Sequence, residues 1–217
     1  MRRGVSLCAL LAALVFHGSE AAAQARGQGW SVLTGRTVGS NDNVVHVQVG
    51  WPGVSVALLH GMTPKVDLGG IFNFNYGIEG DVNADIEPGI KMQMLLRMLL
   101  VDSGRLNFGM WFAPGPLFYF RSGYRALIGF TTPIGFEFGI PVSPSANVNL
   151  GLDLPFWFYF NRGNGAVIPI LMGGGVEYFV EHNLAVTFNL KMGPAIYTNS
   201  GVADFDLLAL MGIAVKL

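Results

Sequence analysis

The sequence predicts an all-β fold, an antiparallel up-and-down transmembrane β-barrel of about ten strands, with eight as the alternative count. Three observations lead there. Apolar and polar residues alternate over long runs, the polar face of those runs is padded with glycine, and short polar turns take turns with longer connections. Successive side chains of an extended strand point to opposite sides, so each such run carries one apolar stripe and one polar stripe. Across eight such segments no charge falls on the apolar face, whereas at least ten charges fall on the other. A soluble sandwich would bury the apolar stripe and show water a face rich in lysine and glutamate. A barrel in lipid turns the apolar stripe outward and keeps the charges inside, where glycines on a concave wall leave room for long neighbours.

Composition agrees and excludes some partners. Of the 217 residues, 51% are hydrophobic and only 12% charged, and the net charge of −1 gives no basic surface for nucleic acid. The N-terminal residues MRRGVSLCALLAALVFHGSEAAAQA have two arginines, an apolar core and a small-residue end at Ala23-Gln24-Ala25. That is the pattern of a secretory signal peptide, residues 1–25, with cleavage expected after Ala25. Cys8 is the one cysteine, so the mature chain is expected to hold neither disulfides, thiolate metal sites nor a cysteine nucleophile. Residues 26–42 then form a short N-terminal lead-in, either periplasmic or partly tucked into the lumen, and residues 43–217 form the barrel.

The strands follow in order. Residues 43–51 and 54–62 make a shorter hairpin turning at Pro52-Gly53. Residues 66–76, 86–100, 105–112, 126–140, 148–160, 166–180 and 184–196 each put their apolar set on even positions. The last strand changes parity, with Phe205, Leu207, Ala209, Met211, Ile213, Val215 and Leu217 apolar and Asp206, Gly212 and Lys216 opposite. Turns at Thr63-Pro64-Lys65, Asp102-Ser103-Gly104, Ser143-Pro144-Ser145 and Glu181-His182-Asn183 are short. The connections at 77–85, 113–124, 161–165 and 198–203 are longer. Short periplasmic turns facing longer external loops are the asymmetry of such barrels, and an even strand number puts both ends on the periplasmic side. Charge-free windows are too short or too broken by proline to cross a membrane as helices. Aromatic residues gather near the outer ends of these strands, at Phe74, Tyr76, Trp111, Phe112, 118–120, 157–160 and Tyr197, as expected of rings at a membrane interface.

On these features the chain resembles the small integral β-barrel proteins of Gram-negative outer membranes, over residues 43–217 and the signal peptide. The resemblance is to the class and not to one family. It implies location in the cell outer membrane, contact with outer-membrane lipid and lipopolysaccharide, and recognition by the barrel-assembly machinery during biogenesis. Proteins of this class commonly end on an aromatic residue, from which Leu217 departs.

If the polar face lines a lumen, the charges expected there are Asp67, Glu87, Lys91, Arg97, Arg105, Glu137, Asp153, Glu177, Lys191 and Asp206. Their signs are mixed. A barrel of about ten strands is narrow, so opposite charges are expected to pair across it, which suits a structural or surface role or slow passage of small solutes in a porin-like manner. A lining of one sign would have favoured a selectivity filter. Loops that meet a surface ligand are another role, and so is an apolar passage with a lateral opening, given Leu95, Leu99, Leu127, Leu171, Leu208 and Leu210 on the inner face.

Catalysis is not expected. The class includes enzymes acting on lipid or peptide, but a nucleophile, a base and an orienting group must lie within hydrogen-bond reach. Of His46, His60 and His182 only His46 is expected to face inward, and no serine accompanies it on the polar face near the outer rim. Asp204 and Asp206 share a face and read as part of the ion network. Gly173-Gly174-Gly175 lacks the following lysine of a phosphate loop and reads as a strand kink. No metal-ligand spacing and no cofactor motif is present. The alternatives are an outer-membrane enzyme, or a soluble periplasmic β-shell with its faces swapped around an apolar ligand.

Overall fold

A computed structural model describes residues 29–77, 79, 87–120, 126–161 and 166–217. The signal peptide expected at 1–25, the start of the lead-in and most of the 77–85 connection lie outside the described residues. Among the described residues every regular element is a strand: β1(Asn43–Trp51), β2(Gly53–Thr63), β3(Val66–Asn75), β4(Gly89–Asp102), β5(Asn107–Phe112), β6(Gly115–Tyr119), β7(Leu127–Thr131), β8(Ile134–Ser143), β9(Ala146–Leu154), β10(Trp157–Tyr159), β11(Ala166–Pro169), β12(Leu171–Glu181), β13(Leu184–Tyr197) and β14(Ala203–Lys216). All pairings are antiparallel, and β1 pairs with both β2 and β14, so the sheet closes on itself. Four wall strands are each built from two segments: β5 with β6, β7 with β8, β9 with β10, and β11 with β12. The barrel therefore has ten wall strands.

The interruptions have a common cause. Proline has no N–H to give to a ladder, and the breaks fall at Pro114, Pro133, Pro155 and the Pro169-Ile170 junction. Two expectations change here. The 113–124 passage is not simply a loop, because Gly115–Tyr119 continues the wall after the break at Ala113-Pro114. The strand expected from Arg105 begins at Asn107 instead. Ser103 and Leu106 close a tight turn, N to O at 2.9 Å, and the Gly104 amide donates to Asp102. Arg105 is left exposed in that turn, away from the lumen where it was expected.

Alternation decides which way each wall faces. Outward residues of mid-barrel are large and exposed: Met94 at 74%, Met172 at 61%, Leu58 and Met211 at 59%, Leu150 at 55%. A band of that size exposed to water would cost roughly 25 cal/mol for each Å² of apolar surface, and lipid removes the cost. Inward residues are buried, and they include Asp67, Glu177, Lys191 and Asp206 at no more than 1% exposure.

The aromatic residues at the loop end split by parity. Phe74, Phe120 and Phe160 are exposed on the outer face. Tyr119 and Trp157 turn inward instead and pack with Leu117, Leu127, Val167 and Ala195, flanked by Tyr159 and Tyr197, in a cluster that fills the loop end of the barrel. Those four inward rings were expected among the interfacial ones.

Candidate functional site: the barrel lumen

The lumen is built in three storeys. At the end carrying the short turns, residues 29–42 fold into the barrel as a plug. Trp30, Ser31, Leu33, Thr34, Thr37 and Val38 are buried there. The segment has no ladder of its own, so its backbone groups need partners from the wall. Arg97 supplies three of them: its Nη1 donates to the Ser31 carbonyl at 3.1 Å, and its Nη2 to those of Thr34 and Arg36 at 3.0 and 2.5 Å. A guanidinium is suited to this because five N–H donors leave it in a fixed fork. Arg97 also lies 3.4 Å from Asp67, whose carboxylate accepts the Val38 amide at 3.1 Å. On the far wall Glu177 accepts the Val32 amide at 2.8 Å and the Asn147 side chain at 3.0 Å.

The short turns complete the seat. Trp30 Nε1 donates to the His182 carbonyl, Thr37 Oγ1 to that of Pro64, and Arg36 pairs with Asp102 at 3.2 Å. Gly35 lies against Gly109 so closely that a Cβ on either would meet the other's backbone, which is why this contact needs two glycines. The plug was foreseen only as one of two placements for the lead-in.

The middle storey is an ion cluster. Lys191 Nζ lies 2.8 and 2.9 Å from the two oxygens of Asp153 and also donates to Glu137, whose other oxygen accepts Asn149 at 2.9 Å. Gly151 sits opposite, where any side chain would collide with the Glu137 carboxylate and the Lys191 ammonium. Two carboxylates and one ammonium leave the cluster one negative charge in excess.

At the loop end, Glu79 reaches back over the barrel. It accepts Lys91 at 2.7 Å and the Tyr119 hydroxyl at 2.6 Å, and Asn75 donates to the same hydroxyl at 2.8 Å. Glu79 belongs to the β3–β4 connection, so alternation along strands could not find it. Glu87 and Asp206, expected in the lumen, are both buried. Nine of the ten charges expected to line the lumen are thus inward or nearly so, and Arg105 is the one that is not.

His46 faces inward on β1, and its Nε2 lies 3.0 Å from Thr187 Oγ1 on β13. His60 is exposed beside Asn43, and His182 lies in a turn. Among the described residues no group of three His, Cys, Asp or Glu side chains could hold a metal. Between the plug and the loop-end cluster lies a cavity of about 230 Å³, where Leu171, Leu208, Leu210 and Pro155 lie beside Lys191 and Asp153 on the same stretch of wall. It has room for about seven waters, too little for an open channel.

No family model matches the sequence, and no curated protein matches it. Among solved structures the chain is similar to the outer membrane protease OmpT from Escherichia coli, at 8% sequence identity and a TM-score of 0.42. The match covers 82% of this chain and 94% of that one. This finding corrects the expectation that catalysis is absent, because a barrel of comparable extent is a protease and the barrel form does not exclude an enzyme. A likeness at this level transfers no activity and no site residue to this chain.

Proposed function

We propose that this protein is an integral outer-membrane β-barrel with a closed lumen, which holds its surface loops on a rigid wall and does not conduct ions freely. One observation carries the reading: the inward charges are consumed in holding the barrel's own interior together. Arg97, Asp67 and Glu177 bind the plug, Lys191 is shared by Glu137 and Asp153, and Lys91 is covered by Glu79. Conducting pores of wide barrels keep such groups hydrated and facing a water column, and sixteen or more strands are the usual requirement. The exposed apolar band supports placement in a membrane, and contact with outer-membrane lipid and lipopolysaccharide belongs to the same proposal. Assembly of the barrel by the dedicated machinery of that membrane belongs to it as well.

Reconstitution into planar bilayers tests the reading. Folded protein, verified by a boiling-dependent shift on a detergent gel, is expected to give no steady ion conductance. Steady conductance from the unaltered chain would overturn the closed lumen and restore slow passage of small solutes.

A further inference from the structure

The proline breaks do not fall at random around the wall. Asp153 on β9 faces Leu171 on β12, and four residues further Trp157 on β10 faces Val167 on β11, so Pro155 and Pro169 stand directly opposite each other. By the same reasoning Thr131 faces Trp157 and Ile134 faces Leu154, which sets Pro133 opposite Pro155. Three prolines on three adjacent wall strands thus share one level.

The phase of the ladder makes one of these pairs special. The Phe156 carbonyl accepts the Thr132 amide on one side, at 2.8 Å, so the backbone groups of Pro155 point to the other side, toward Pro169. Ile170 donates to the Pro194 carbonyl at 2.9 Å, so the backbone groups of Pro169 point back toward Pro155. Here an antiparallel ladder would exchange two N–H···O bonds, and neither residue has an N–H. From the Asp153–Leu171 pair to the Trp157–Val167 pair the two wall strands run about 13 Å without a bond between them. A closed barrel has no edge strand to which such prolines could be relegated, so the seam is a built weak point in an otherwise continuous wall.

The outer side of the seam is apolar, and the inner side is apolar except for Asp153 at its margin. Outward it is flanked by Leu154, Phe156 and Ile170, which are half-buried, and by Ile168, which is exposed. On the same face of the neighbouring wall, Gly174 lies between Leu150 and Leu190 and leaves a shallow groove bounded by Leu152, Met172 and Met192. Inward, Pro155 and Leu171 at the seam line the 230 Å³ cavity together with Leu208 and Leu210, while Lys191, Arg97, Lys91, His46 and Gln93 are among its polar lining.

We propose that the Pro155–Pro169 seam is a lateral gate through which the tail of a single hydrocarbon chain passes from the lipid phase into the mid-lumen cavity. The inference rests on the reading of the chain as a membrane barrel. The cavity lies below the ~300 Å³ of a drug-sized site, and so accepts one chain or part of one, not a whole diacyl lipid. The chain can come from a free fatty acid or from one arm of a phospholipid.

The test uses the full chain with Cys8→Ser, reconstituted in phosphatidylcholine vesicles, and a fatty acid carrying a terminal diazirine as photolabel. Label is expected on Leu208, Leu210 and Leu171. Opposed positions of a hydrogen-bonded pair lie about 5.5 Å apart at Cα, within disulfide reach. A Pro155→Cys/Pro169→Cys variant, oxidised, is therefore expected to lose inward label at least tenfold, and on reduction to rise only to the level of the Pro155→Ala/Pro169→Ala variant, because cysteine also restores both N–H donors. Pro155→Ala/Pro169→Ala, which restores both N–H donors without a cross-link, is expected to lower the label as well. Label confined to outward residues such as Ile168 and Met172, or inward label indifferent to the staple, overturns the gate. Repeating the experiment with the diazirine on a phosphatidylcholine acyl chain separates the two sources, since label from the free acid alone assigns fatty acid and label from both admits lipid. Flotation with the vesicles and the boiling-dependent gel shift are read on every sample. A chain that fails both defeats the membrane-barrel reading itself, whereas a floating, shifting chain without inward label defeats only the gate.

Discussion

Lys191→Met is expected to destabilise the barrel by about 3–5 kcal/mol, the largest loss from any single lumen substitution. Lys191 is 1% exposed and is the shared cation of Glu137 and Asp153. Removing it leaves two buried carboxylates facing each other with no counter-charge, and each must then be protonated or hydrated inside a wall that admits little water. Asp153→Leu should cost less, because it leaves Lys191 and Glu137 as a neutral pair. The triple change Lys191→Met, Glu137→Leu and Asp153→Leu should recover much of the loss, since a buried ion cluster replaced by apolar groups of similar volume is often neutral. Urea titration in vesicles, followed by the mobility of unboiled samples, ranks the three variants. A Lys191→Met protein as stable as Asp153→Leu would show that the cluster is hydrated and not closed.

Arg97→Ala is expected to release the plug while the wall persists. It takes away the donors of three plug carbonyls and the cation beside Asp67, which in turn orients the Val38 amide. Each buried acceptor left without a donor costs about 1–3 kcal/mol, a loss set against the ties that remain at Trp30, Thr37, Arg36 and Glu177. Hydrogen exchange at the Val32 and Val38 amides should rise at least a hundredfold, and added protease should cut within residues 29–42 of the folded protein. Arg97→Lys keeps the charge but not the fork, so it should restore protection only in part. Full protection in both variants would place the plug's stability elsewhere.

Much of this architecture could be read from residue order, because the decisive property is local. Alternation from Val66 to Leu217 gave strand identity and the facing of nearly every lumen charge, and with the first hairpin it gave about ten wall strands, eight being the alternative. What escaped it depends on contacts distant in sequence. The plug has no periodicity, and its acceptors are met by Arg97 some sixty residues away. Glu79 enters the lumen from a connection, where no strand parity applies. Pro133, Pro155 and Pro169 are plain in the sequence, but their opposition is a matter of register, which no single strand contains. Arg105 was misplaced because alternation was carried two residues into a turn that Ser103 and Asp102 close. Trp157 was a different case: its odd position already assigned it inward, and the clustering of aromatic residues was given more weight than parity.

The central claim is that the apolar face meets lipid and the charged face meets itself. Spin labels at Met94→Cys, Leu150→Cys, Met172→Cys and Met211→Cys, in the Cys8→Ser chain reconstituted in vesicles, test it most directly. All four sites are outward and more than half exposed. Collision with oxygen, which concentrates in the bilayer, should dominate at every one of them, with little access for a water-soluble nickel chelate. Nickel access equal to or above that of oxygen at these positions would contradict the barrel in lipid and require the faces to be exchanged.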